Sequence, residues 1–170
     1  MQNETNMAGR RGFLELAALA GMATLMPVAA QAASTGETAR VEQANLELVG
    51  KFCRAWSRRD TDAIVALVSD DFVFQPYDNA PLTHGAAEFR AYIGPFIGTT
   101  GKIDFEVLRS SAIGPVVLTE RIDHIFAKQD GKETAYPVAG VFQMVDGRIR
   151  FWYDFFMPGF KLEAAPAVPA

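Results

Sequence analysis

The chain has 170 residues, 49% of them apolar, with a formal net charge of −4. That is the profile of one soluble domain, and no basic block is present that would neutralise nucleic-acid phosphates. Two histidines and one cysteine are too few and too scattered for a zinc site or a disulfide framework. Cys53 falls among apolar helix positions, where a free thiol packs as a small hydrophobe.

In chain order, Arg10-Arg11-Gly12-Phe13-Leu14 precedes a mostly apolar Ala/Leu/Met run from Leu16 to Ala30. Ala30-Gln31-Ala32 then presents small residues where a signal peptidase cuts. The paired arginines with Phe-Leu resemble a twin-arginine export signal, although Gly9 and Glu15 depart from its usual pattern. The apolar run of about 15 residues is short for a membrane span of roughly 20. Residues 1–32 therefore read as a removable leader to the periplasm or beyond, without stable membrane insertion. About 138 residues remain, enough for one sizeable core.

Within that remainder, residues 33–45 read as a flexible N-terminus, with Ser34 to Arg40 polar and irregular. From Val41 to Arg58 the apolar positions Val41, Leu46, Val49, Phe52, Cys53 and Trp56 recur mostly at three-and-four spacing, which predicts an amphipathic helix. Thr61-Asp62 can cap a shorter helix through Val68. Asp70-Asp71 stops it, and a strand starts at Phe72. Gln75 to Gly85 is a loop rich in turn residues, and Ala86 to Ile93 a third helix ended by Gly94-Pro95. Phe96 to Gly101 reads as loop.

The pattern then changes to strands over 103–109, 116–128, 134–145 and 148–156, with Gln129-Asp130-Gly131-Lys132 and Asp146-Gly147 as turns. Residues 161–170 are an Ala/Pro-rich loose tail. Helices first and antiparallel strands afterwards predict a single α+β domain over 46–160, a curved sheet with helices on one side.

One strand carries polar residues where a plain core strand would not. In Leu118-Thr119-Glu120-Arg121-Ile122-Asp123-His124-Ile125, alternation puts Val117, Thr119, Arg121, Asp123 and Ile125 on one face. A cation and a carboxylate thus stand about 6–7 Å apart along the strand between apolar neighbours. A second carboxylate, Asp154, interrupts the aromatic run Phe151 to Phe156. An unpaired buried carboxylate is costly, so the expectation is that both strands face one pocket with Arg121 between Asp123 and Asp154. Read from its own strand alone, Arg121–Asp123 is equally an ordinary ion pair on a solvated sheet face. His124 falls on the opposite face and reads as structural.

Four segments now resemble a known family. Tyr77-Asp78-Asn79-Ala80-Pro81-Leu82, Leu118 to Asp123, Gly140-Val141-Phe142-Gln143 and Trp152 to Phe156 are similar to limonene-epoxide hydrolase, on the cone-shaped nuclear-transport-factor-2-like fold with helices on the concave side of the sheet. The likeness covers roughly Leu46 to Gly159. It implies Asp154 as general base, Tyr77 and Asn79 holding the attacking water, Asp123 as general acid, and Arg121 bridging the carboxylates. It also implies no metal, no cofactor, no covalent intermediate, and a homodimer. Asp78 stands where the family often has an amide, and Tyr153 where an arginine is usual.

Water opens an epoxide only if the nucleophile loses a proton while the leaving oxygen gains one. One carboxyl must be ionised and the other protonated in the same state, an arrangement that two neighbouring carboxyls in an apolar pocket favour. The expected pocket liners are Ile125, Tyr136, Val138, Trp152 and Phe156, with a small apolar epoxide and water as reactants. A related isomerase or cyclase and a non-catalytic ligand-binding module stay open beside this reading.

Overall fold

The structure is a computed structural model that describes residues 28–157, with side-chain surroundings from residue 35. Two compact units divide the chain, Met1–Thr35 and Gly36–Ala170. The expected leader and tail lie outside the described residues, apart from positions 28–32, which begin the first helix.

The elements are α1 (Val28–Ser57), α2 (Thr61–Ala66), β1 (Val68–Gln75), β2 (Thr83–His84), α3 (Gly85–Thr99), β3 (Thr100–Ile113), β4 (Val116–Ala127), β5 (Glu133–Val145) and β6 (Arg148–Phe156). The six strands form one curved sheet in the order β2-β1-β6-β5-β4-β3. Its pairs are antiparallel except β1 with β6, which is parallel. This is the α+β architecture expected. At the β5–β6 hairpin Asp146 and Gly147 both take positive φ, 50° and 71°, as a tight two-residue turn requires.

The core lies between the helices and one face of the sheet. Phe52 and Trp56 of α1 and Phe89 and Ile93 of α3 are buried against Phe74, Val117, Phe142 and Trp152. Trp152 is the hub. Its ring stacks on Phe74 at 4.4 Å and Phe142 at 5.7 Å, and meets Phe52 edge-on at 5.1 Å. Offset and edge-to-face aromatic pairs of this kind each add about 0.5–1.5 kcal/mol beyond area burial.

Several boundaries differ from the sequence expectation. Residues 33–45, expected as a flexible N-terminus, belong to helix α1, with Arg40 reaching Glu37 one turn back at 2.7 Å. The cap of α2 is Asp60, whose carboxylate accepts Ala63 N–H at 2.9 Å. The strand expected from Phe72 begins at Val68, because Asp70 and Asp71 sit exposed on it and Asp71 pairs with Arg150 at 2.8 Å. Helix α3 continues through Pro95 to Thr99. Gly94 has no Cβ to clash with the proline ring, and buried Ile93 and Ile97 hold both halves against the core. The short β2 lies inside the expected loop and pairs with Val73 and Phe74. No helix among the described residues is long and apolar enough to cross a membrane.

Candidate active site

Strand alternation and cross-strand register build the site together. Arg121 and Asp123 leave β4 on the core face, and β5 intervenes before β6. The register Thr119↔Gly140 and Gly140↔Asp154 sets one row across three strands. In the middle of that row stands a residue with no side chain. The Arg121 guanidinium fills the space, and a Cβ on Gly140 would meet Thr119 Oγ1 at 2.7 Å, Asp154 Oδ1 at 3.0 Å and Arg121 Nη1 directly.

The Arg121 side chain is 0% exposed, yet every face of it is occupied. Its Nε donates to Asp123 Oδ1 at 2.7 Å and its Nη2 to Asp123 Oδ2 at 3.1 Å. Nη2 also donates to Asp154 Oδ2, and Nη1 to Thr119 Oγ1 at 3.1 Å. The other Asp154 oxygen accepts Trp152 Nε1–H at 2.7 Å. Above and below the guanidinium lie the rings of Phe105 at 5.1 Å, Trp152 at 5.5 Å and Phe142 at 5.8 Å. These are cation–π contacts in a water-poor setting.

The charge balance of this cluster decides its protonation. Both carboxyls ionised beside one guanidinium would leave a buried net charge of −1. Burial pushes Asp154 up from 3.8 to about 7, with Arg121 opposing and Asp123 adding to the rise. Burial also raises Asp123, partly offset by Arg121. Burial alone would lower Arg121, but Asp154 and Asp123 outweigh it and the guanidinium stays charged. The pair therefore holds one proton near neutrality, which is the acid and base that a concerted proton exchange needs. Burial pushes the neighbouring Cys53 thiol up to about 11, so it stands as a neutral wall.

The remaining predicted residues divide by position. Tyr77 is half-buried and stacks with Phe156 at 6.2 Å, and Phe156 meets Tyr136 at 5.9 Å. Burial raises the Tyr92 phenol, and Tyr77 nearby raises it further. Asn79 is exposed at φ 63° in the loop. Among the described residues no hydrogen bond joins Tyr77 or Asn79 to Asp154. Val138 is buried opposite Arg121, and Ile125 packs partly buried against the core. Trp152 is 2% exposed and serves as Asp154's donor as well as a wall.

The model of the SnoaL-like domain matches residues 49–152, more than half of the chain. The chain belongs to the SnoaL-like family. Over 110 residues, 64% of this chain and 70% of the relative, it is 32% identical to epoxide hydrolase EphG of Mycobacterium tuberculosis. A solved LEH-like epoxide hydrolase of M. tuberculosis superposes with a TM-score of 0.62 at 28% identity, covering 68% of this chain and 84% of that one. A candidate polyketide cyclase of Xanthomonas campestris pv. campestris gives 0.60 at 20% identity over 68% and 92%, a likeness of fold alone.

Sequence reasoning missed three features of this SnoaL-like domain. Thr119 as a partner of Arg121 and Trp152 as the donor to Asp154 each stand two residues away on the same strand, whereas Gly140 as the gap for the guanidinium depends on the register of β4, β5 and β6. The Gly140-Val141-Phe142-Gln143 segment was visible, but not the reason for its glycine. Among the described residues no group of three His, Cys, Asp or Glu side chains is close enough to hold a metal ion.

Proposed function

We propose that this SnoaL-like domain is a cofactor-independent epoxide hydrolase that adds water to a small apolar epoxide in one step. The observation that carries the reading is a fully buried guanidinium shared by two carboxyls whose proton affinities are both raised. Asp154, ionised, takes a proton from water as the water oxygen bonds to an epoxide carbon. Asp123, protonated, delivers its proton to the oxygen leaving that carbon, and a vicinal diol results. The pair's total charge is unchanged by the step, and passage of the proton from Asp154 to Asp123 restores the starting state. Arg121 stays charged and follows whichever carboxyl is ionised, while Tyr77 and Asn79 hold the water in line. Ile125, Tyr136, Val138, Trp152 and Phe156 give the substrate an apolar seat.

An acid or a base of this kind typically contributes about 10²–10⁴-fold, so Asp154→Asn and Asp123→Asn are each expected to abolish diol formation on an epoxide panel. Turnover in labelled water puts one solvent oxygen into the product, whereas an isomerase or a cyclase incorporates none. Near-normal rates in Asp154→Asn would remove it as the base.

Two further proposals concern the whole chain. The outer face of the sheet carries Phe151, Tyr153 and Phe155, with Phe155 43% exposed, and Leu118 at 39%, which supports pairing with a second copy. Phe155→Arg is expected to give a monomer in light scattering. The paired arginines support export, and a mature N-terminus at Ala33 in a periplasmic fraction is the expected finding.

A further inference from the structure

The loop after β1 grips β6 from both sides. Pairing of β1 with β6 ends at Gln75↔Tyr153, one residue short of Asp154. Tyr77, two positions on, lies with its ring 6.2 Å from that of Phe156, which shares the core face with Asp154. Its neighbour Asp78 accepts a hydrogen bond from the hydroxyl of Tyr153, which points to the outer face. Successive loop residues therefore hold opposite faces of one strand, next to Asp154. Within the loop, Ala80 N–H donates to Tyr77 O at 3.1 Å and Gln75 Nε2 to Ala80 O at 2.8 Å. Asn79 takes the left-handed turn between them.

We propose that Asp78 and Tyr153 form a clip that fixes the rotation of the loop at residues 77–79 and so positions Tyr77 and Asn79 for the water. The proposal rests on the hydrolase reading above. A phenol donating to a carboxylate makes a charge-assisted hydrogen bond, stronger than a neutral one. Asp78 also pushes the Tyr153 phenol up from 10, which keeps it a donor. These two residues are where the sequence departs from the limonene-epoxide hydrolase pattern, and they depart as a matched donor and acceptor. Both are positioning residues, since neither lies on the face where the reaction occurs.

The test uses the full chain with Tyr153→Phe, Asp78→Ala, Asp78→Asn and the double variant Tyr153→Phe/Asp78→Ala. Loss of the clip displaces the water-holding groups, so Tyr153→Phe and Asp78→Ala are each expected to lower kcat about tenfold with little change in KM. The double variant should lose no more than either single one. Asp78→Asn keeps a carbonyl acceptor for Tyr153 and should recover most of the rate. Additive losses, wild-type rates in both single variants, or an Asp78→Asn as impaired as Asp78→Ala would each overturn the clip.

Amide exchange at Ala80 reads the clip without turnover. It should quicken in Tyr153→Phe and Asp78→Ala and stay near wild type in Asp78→Asn; unchanged exchange throughout overturns the clip even if no epoxide is hydrolysed. Absence of diol formation by the wild-type chain on every epoxide tried defeats the hydrolase assignment instead, and leaves the exchange result to judge the clip alone.

Discussion

Gly140 is the residue on which the site's packing turns. Its missing side chain lets the guanidinium lie across the sheet between Thr119 and Asp154, so Gly140→Ala forces either the arginine or the strand to move. Overpacking of this sort costs about 1–3 kcal/mol, and the displaced guanidinium no longer serves both carboxyls. We expect a lower melting temperature together with a fall in diol formation; a variant that melts lower but keeps its rate would separate this glycine from the chemistry. The charged members were legible earlier because a period of two places Arg121 beside Asp123 on a core face, and a carboxylate inside an aromatic run demands a partner. The partners' identities were not legible. That Thr119, Gly140 and Asp154 stand in one row is a property of the register of three successive strands, and no single strand's pattern contains it.

At the scale of elements, strands β4 to β6 follow the sequence pattern closely because alternation and turn residues mark them, while β3, expected over 103–109, runs from Thr100 to Ile113. Helix ends followed it less well. Pro95 marks a stop in most contexts, but Gly94 before it removes the usual clash and the apolar Ile97 beyond it still has core to bury. The start of α2 shows the same dependence on detail, since Asp60, Thr61 and Asp62 are all capable caps and only geometry selects Asp60. Asp60→Ala is expected to cost about 1 kcal/mol of stability in denaturant unfolding, with the rate on epoxide unchanged. An equal loss from Thr61→Ala would contradict the assignment of the cap. Turn residues mark a loop over 75–85, of which 76–82 is loop in the structure, but its hold on β6 emerges only once β1 and β6 lie side by side.

The whole molecule should register the site's protonation in its stability. Asp154 titrates at about 7 in the folded chain against an ordinary 3.8. Between those values the folded state binds more protons than the unfolded state, so this group's contribution is complete below about pH 4 and is lost as pH rises through about 7. The slope is at most about 1.4 kcal/mol per pH unit for each proton. His124, raised above 6.5 by Glu133 at 2.5 Å and Glu106 at 3.1 Å, adds a decline in the same direction as pH rises through its folded value. Unfolding curves for wild type and Asp154→Asn across pH 4 to 8 share the histidine, so their difference isolates the aspartate. The variant is expected to gain on the wild type as pH rises; parallel curves would mean that Asp154 titrates normally. Activity should rise as pH passes through about 7, because Asp154 must be ionised to act as the base, and fall only where Asp123 loses its proton.

The guanidinium between its two acids also occupies the middle of the aromatic core, so the machinery and the foundation are one object. Filling the same volume with Met at 121 and Leu at 123 and 154 removes three ionisable groups that are costly to keep out of water. Such replacements of buried ionic clusters are often neutral or favourable by about 1–4 kcal/mol. The sturdier protein would be inert, and the melting temperature forgone by the natural sequence measures what reactivity demands of this architecture.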